Sequence, residues 1–242
     1  MKKIKSIVIF TLLALVLTAC GNSDSTETNS SGIKDTQNEG SITEAEEDKK
    51  DNEGEKFDGI LTEDVLRNQK PSPASDFEWK EANGEITINK YIGDSDLVVV
   101  PDTIDGKIVR AIGANIFNQD EDIVGIMLPD SVEQIKKYSF FMCKSLQIVI
   151  GEGIKEVLYG GFYGCSELNT LIISKDLSVI EHGAFKGCSK LEKLYVSSDL
   201  EKISETSTGF TFLSCDNLTI YGEAGSFIEQ YCKDNNIPFQ AE

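Results

Sequence analysis

One unit, F-x-x-C-x-x-L, returns four times in the second half of this chain and limits what it can fold into. Cys143, Cys165, Cys188 and Cys215 fall 22, 23 and 27 residues apart. Each has a Phe three residues earlier (Phe140, Phe162, Phe185, Phe212) and a Leu three residues later (Leu146, Leu168, Leu191, Leu218). An earlier copy keeps Phe117 but puts Asp120 and Ile123 at the Cys and Leu places. A unit of about 23 residues cannot bury its own apolar edge, so successive copies must stack into a solenoid.

The rest of the period supports this. After each Leu comes an apolar triplet: Ile126-Met127-Leu128, Ile148-Val149-Ile150, Leu171-Ile172-Ile173, Leu194-Tyr195-Val196. Its β-branched content predicts a strand. On this reading the copy that starts at Leu146 is one residue short. A second apolar pair follows at a spacing of three (Val132/Ile135, Ile154/Val157, Leu177/Ile180, Leu200/Ile203) and lines the far side of the coil. The last copy carries extra residues at 204–209, read as a surface bulge.

Three stretches resemble the BspA-type, or Treponema-type, leucine-rich repeat: "VVVPDTIDGKIVRAIGANIF" (98–117), "IMLPDSVEQIKKYSFFMCKSL" (126–146) and "LIISKDLSVIEHGAFKGCSKL" (171–191). The resemblance covers about 91–239. It departs from the pattern where Gly151, Ser174 and Ser197 replace the Pro after the strand. It implies a β-rich leucine-rich-repeat solenoid with a parallel sheet of five to six coils. It also implies the company of surface proteins, some of them adhesins or other binding proteins.

The ends read as caps. Within 57–90, Thr62 is an N-cap, Leu61 and Leu66 occupy staple positions, and Asn83-Gly84 marks a hairpin covering the first coil. The repeats occupy 91–217. Residues 218–242 hold a last strand and a capping helix announced by Ser226 and Glu229, with Asn235 and Pro238 as its stop.

The first residues carry a different message. Lys2, Lys3 and Lys5 precede an apolar run from Ile7 to Leu17 that is short for a membrane span. It ends in "LTAC", which resembles the bacterial lipobox. The resemblance implies a signal peptide over 1–19 and lipid attachment to Cys20, with the protein held outside the cytoplasmic membrane through that cysteine. Two or three acyl chains at about 0.8 kcal/mol per CH₂ make a stable anchor where one chain would not. Residues 20–56 are rich in Asp and Glu and nearly devoid of large apolar side chains, so they read as a disordered tether.

Charge and site chemistry narrow the function. A net charge of −18 opposes nucleic-acid binding, which needs Lys and Arg at the phosphates. The ladder cysteines are spread along the axis with parallel Cβ directions, which suits neither a metal site nor disulfides. Cys143, Cys165, Cys188 and Cys215 are read with their phenylalanines as a packing ladder. Cys232 reads as packing in the last helix or as a paired cysteine. The single histidine, His182, aligns with Lys137, Tyr159 and Ala114, a scatter that reads as a solvated position. The glycines of "YGGFYGC" (159–165) lack the helix and Lys-Ser/Thr of a phosphate loop. No cofactor, metal or catalytic residue is expected.

What remains is the middle residue of each triplet. If its neighbours point inward, Val99, Met127, Val149, Ile172 and Tyr195 form an outward apolar row. Such a row is either a binding face, with Tyr195 as anchor, or a face covered by the N-terminal segment or a second copy. Two functions fit. One is a non-catalytic, adhesin-like module for a host or neighbouring-cell protein or polysaccharide. The other is a structural or accessory envelope component with no external ligand.

Overall fold

The computed structural model describes residues 56–205 and 210–242. The expected signal peptide, Cys20, the tether as far as residue 55, and 206–209 of the bulge lie outside the described residues.

The repeats wind into a solenoid whose front is a parallel sheet. Leu97–Val99, Gly125–Met127, Ile148–Gly151 and Thr170–Ile173 pair in sequence order. Lys193–Tyr195, Thr219–Gly222 and Phe239–Ala241 form a second parallel group in the same order. Among the described residues the front thus has one strand more than the sixth coil expected at most. The extra strand, Phe239–Ala241, pairs with Thr219–Gly222 after the chain crosses over through the helix Phe227–Asn235.

The spaced apolar pairs build a back ladder of two-residue parallel strands, Gln134–Ile135, Glu156–Val157 and Val179–Ile180, continued by a bridge from Ile180 to Ile203. Between front and back lies one core. Phe117, Phe140, Phe162, Phe185 and Phe212 stack through it from coil to coil. Their ring centroids are 5.3, 5.2, 5.8 and 5.6 Å apart and the planes lie within 13° of parallel. Offset stacking at this separation is the favoured aromatic arrangement, and the coil rise of a parallel ladder supplies it.

The cysteines complete that corner. Each thiol donates to the carbonyl of the Phe in the preceding coil: Cys143 Sγ to Phe117 O at 2.7 Å, Cys165 to Phe140 at 2.9 Å, Cys188 to Phe162 at 3.1 Å, Cys215 to Phe185 at 2.9 Å. Each of these carbonyls already accepts from the amide three residues on, as Phe162 O does from Cys165 N at 3.2 Å, and the thiol, a small side chain with one weak donor, occupies its second lone pair at the buried corner. In the first copy Asp120 replaces the cysteine and accepts instead from the amides of Asp122 and Ile123 in its own turn.

At the N-terminal end, Phe77–Ala82 and Glu85–Tyr91 form the expected hairpin around Asn83 (φ 55°) and Gly84 (φ 80°). The second of these strands pairs parallel with Lys107–Ile112, which turns back on Thr103–Ile104. That second hairpin, at Asp105-Gly106, is a turn signal the sequence reading passed over. At the other end Glu229 Oε2 accepts from the Gly225 amide at 2.6 Å, while the Ser226 hydroxyl donates to Glu223 O. The expected capping box is therefore not formed: Ser226 makes no side-chain cap bond, and Glu229 reaches back to the amide before the N-cap. Asn236, in the left-handed region (φ 56°), ends the helix.

Candidate functional site

The strand register decides which side chains face out. Ile126 pairs with Val149, and Val149 with Leu171; Met127 pairs with Ile150, and Ile150 with Ile172. The outward row is therefore Val99, Met127, Ile150, Ile172, Tyr195 and Tyr221. Val149, expected in this row, faces inward and is wholly buried in the core, and Ile150 takes its place. The cause is Gly151. The inward position after Ile150 holds a glycine, so the run of apolar letters is displaced one residue toward the N-terminus. An added Cβ there would come within 3.0 Å of Ile154 and 3.6 Å of Leu128, so two large neighbours already fill the space.

Half of this row is covered. The short helix Glu63–Arg67, which Thr62 caps by accepting from the Val65 amide at 3.3 Å, lies across the front sheet and not over the end of the solenoid. Leu66 is buried there against Val99, Ile148 and Ile150, with Leu61, Leu97, Met127 and Ile172 around it. Gly125 makes the approach feasible: a Cβ on it would stand 3.0 Å from both Leu61 and Leu97. Ser72 pins the far end of the strap. Its amide donates to Val99 O at 2.8 Å, and its hydroxyl accepts from the Val99 amide at 3.1 Å. Arg67 pairs with Glu63 and with Glu152 on the solenoid. Val99, only 3% exposed, is thus a covered residue and not part of a free binding face.

Beyond Ile172 the face is open among the described residues. Tyr195 and Tyr221 project side by side, with centroids 4.9 Å apart and planes 27° from parallel. The Lys175 ammonium sits 4.9 Å from the Tyr195 centroid and pairs with Glu242 at 3.2 Å. Tyr221 was missed by the sequence reading, although "TIY" at 219–221 repeats the "KLY" of 193–195.

A second aromatic row runs along another flank. Tyr138, Tyr159, His182 and Phe210 meet in succession at 5.1, 5.5 and 4.6 Å. Phe141 and Tyr163 stack beside them at 5.0 Å, and Lys186 Nζ lies 3.5 Å from the Phe210 centroid. His182, expected in solvent, is half-buried and stacked between Tyr159 and Phe210. The alignment hid this because the offset shared by Tyr159 and His182 holds Lys137 in the coil before, where the ring is supplied one residue on by Tyr138. In most of these pairs the faces are turned toward one another, so the row closes the coil corners and leaves edges to solvent.

Burial makes four of the thiols poor nucleophiles. All five described cysteines are unpaired by disulfides. Burial pushes the Cys165 and Cys188 thiols well above the ordinary value, and pushes Cys215 and Cys232 up to about 12. A reactive cysteine needs the opposite shift. Among the described residues no group of three or more His, Cys, Asp or Glu is placed to hold a metal ion.

Comparison with known proteins agrees with this architecture. Residues 110–237 match the family described as BspA type leucine rich repeat region, in six copies. No curated protein matches the chain. Among solved structures, a leucine-rich repeat protein of T. pallidum is 26% identical with a TM-score of 0.56; the match covers 63% of this chain and 71% of that one. A leucine-rich repeat protein from Bacteroides ovatus (19% identity, TM-score 0.47) is matched over 68% of this chain and 47% of its own. The pneumococcal vaccine antigen PcpA (17%, 0.46) is matched over 70% and 49%. The chain therefore spans less than half the length of these last two proteins.

Proposed function

The chain belongs to the BspA-type leucine-rich repeat family, and from that premise we propose that it is a non-catalytic binding module displayed at the cell surface. In this reading lipidated Cys20 holds it to the membrane, and the acidic tether over 20–56 carries the solenoid outward to a host or neighbouring-cell partner. The observation that carries the binding role is the outward row itself. It continues past the end of the strap, and its residues change there from aliphatic to the paired Tyr195 and Tyr221. Tyrosine combines a large apolar face with a polar tip at little entropic cost, which suits it to be an anchor in recognition.

The test uses cells that display the intact chain. Tyr195→Ser with Tyr221→Ser should abolish attachment to partner surfaces at unchanged surface level. Unchanged attachment by the folded double variant removes the binding face. The alternative, an accessory envelope component without external ligand, draws support from the strap, which satisfies half of the row internally. Protease treatment of intact cells separates the two: a displayed module is shaved off, a wall-buried component is protected. Labelling with radioactive palmitate, lost in Cys20→Ala, tests the anchor.

A further inference from the structure

The strap is fastened to the solenoid at its start, its middle and its far end, and the fastenings differ in kind. At the start the Phe57 amide donates to Asp96 Oδ2 at 2.7 Å, and Lys56 pairs with Asp122 at 2.7 Å. In the middle Leu66 is buried, with Leu61 half-buried beside it. At the far end the amide and the hydroxyl of Ser72 both bond Val99. We propose that the strap is a releasable cover: a pull on the chain N-terminal to residue 56 strips residues 57–71 from the front sheet before any coil yields, and so lengthens the binding face. The proposal rests on the anchored binding-module reading above and adds its regulation.

The order of the fastenings along the chain carries the argument. In that reading Cys20 holds one end and a partner holds the solenoid, so a load between them enters the described structure at residue 56. It meets the fastenings one at a time. The Lys56–Asp122 pair is exposed on both sides and holds little. Asp96 is different. It is only 5% exposed, and its carboxylate takes a charge-assisted bond from the Phe57 amide, which makes that bond the latch. Once it opens, the strap keeps little. Leu66 alone of residues 56–72 is fully buried, and the Arg67–Glu152 bridge lies in solvent. Ser72 is a stop, because its two bonds to Val99 are loaded together. Beyond it the first hairpin puts Phe77, Ile86 and Ile88 into the main core and adds a ladder of strand bonds. Local opening begins where buried contacts are fewest, and that place is the strap.

The surface beneath suits the role. Stripping 57–71 bares Met127, Ile148 and Ile150, beside Ile172. This apolar patch continues the open row of Tyr195 and Tyr221, and a contiguous apolar patch is a docking surface. Its seat is shaped for an incoming side chain: Gly125 leaves the room that Leu61 takes.

The experiment holds the full chain in detergent, by tags at its two ends, in magnetic tweezers. The first extension should come at the lowest force, reverse on relaxation, and release about 50 Å, the span of residues 57–71 fully extended. Asp96→Ala and Leu66→Ala should each lower that force, and Tyr195→Ser should leave it unchanged. A fluorescent peptide with the sequence of residues 56–76 then probes the bared sheet. It should bind the Leu66→Ala chain at least tenfold more tightly than the parent, and lose that gain when Ile150→Ser is added. A first extension that takes the hairpin or a coil with it overturns the proposal. So do a force indifferent to Leu66→Ala and equal peptide binding by the parent and Leu66→Ala chains. The cell-attachment test reads Tyr195 and Tyr221, which lie outside the strap's cluster. If attachment depends on them while the strap holds as long as the coils, the binding face stands and the releasable cover falls. If attachment is indifferent to both tyrosines, the binding face falls whatever the strap does.

Discussion

Two rows of side chains step along this solenoid one residue per coil, and they differ in kind. The inner row is monotonous: Phe117, Phe140, Phe162, Phe185 and Phe212, stacked almost in parallel. The outer front row drifts: Val99, Met127, Ile150, Ile172, Tyr195, Tyr221. Phe140, Phe162 and Phe185 meet the same surroundings, a parallel ring on each side and the thiol of the corner, while Phe117 and Phe212 meet Tyr91 and Tyr231 at the two ends. The outer residues meet Leu61 and Leu66 at one end and open space at the other. Uniformity along a repeat marks a repeated environment, and drift marks where something outside the repeat makes contact.

That contrast breaks first, and hardest, in the inner row. Phe162→Ala removes a wholly buried ring that touches Phe140 and Phe185. The expected loss is about 3–5 kcal/mol in urea unfolding, the usual range for a core phenylalanine. Phe140→Ala should cost nearly the same, since the two sites are alike. A loss below about 1 kcal/mol at either site would mean that the ladder is not the core.

The covered part of the outer row should respond less and more locally. Leu66→Ala should cost about 2–3 kcal/mol, the lower part of the range for a buried leucine, because it leaves a cover and not a coil. Proteolysis should then speed up between residues 57 and 76 while amide exchange of the Phe140–Phe162 coils stays unchanged. Equal loosening of strap and coils would show that the strap is part of the core.

The thiols test the inner row by pH. The Cys188 thiol is held well above its ordinary value of 9.0 by burial, so the folded chain keeps a proton that the unfolded chain releases. Its contribution is complete below about pH 9 and is lost as pH climbs toward the raised folded value, at up to about 1.4 kcal/mol per pH unit. Cys188→Ala should cost about 1–3 kcal/mol at neutral pH, since it empties part of a buried corner and leaves the Phe162 carbonyl with the Cys165 amide as its one remaining donor. Between pH 9 and 10 its stability should also fall less steeply than the parent's. Parallel stability curves would mean that Cys188 is not protected in the folded state.

The inner row was legible because its period is strict: one Phe, one Cys and one Leu at fixed offsets leave no choice of phase. The outer row was legible only in part. Counting three residues on from Ile123, Leu146, Leu168 and Leu191 gives Ile126, Val149, Leu171 and Leu194, all inward. Apolarity alone slipped Val149 outward because Gly151, an inward residue with no side chain, does not register as apolar. The strap was legible as a helix from Thr62 and Leu66, but not its seat. The clue to that is Gly125, which has no side chain where the neighbouring coils carry Leu97 and Ile148, and whose missing Cβ makes room for Leu61. A single glycine announces such a contact only once the sheet register is known. Tyr138, Tyr159, His182 and Phe210 were unreadable as a group because their stacking depends on turn geometry, where letters and offsets vary between copies.

The smallest effect on stability is expected at the open end, and it is the most informative about function. Tyr195 is half-exposed and touches Tyr221 and Lys175. Tyr195→Ser removes one stacked aromatic contact and one cation–π contact, together about 1 kcal/mol at a solvated site, the low end of each range. The same change placed at Ile150, 2% exposed beneath the strap, should cost several times more, because it sets an oversized hole and a hydroxyl among apolar side chains. Melting the two variants side by side measures how far the cover reaches. If Tyr195→Ser proves as costly as Ile150→Ser, Tyr195 is packed as a structural residue and the open half of the face is not free for a partner. If its cost is that small, as expected, any loss of binding in that variant belongs to the contact itself and not to the fold.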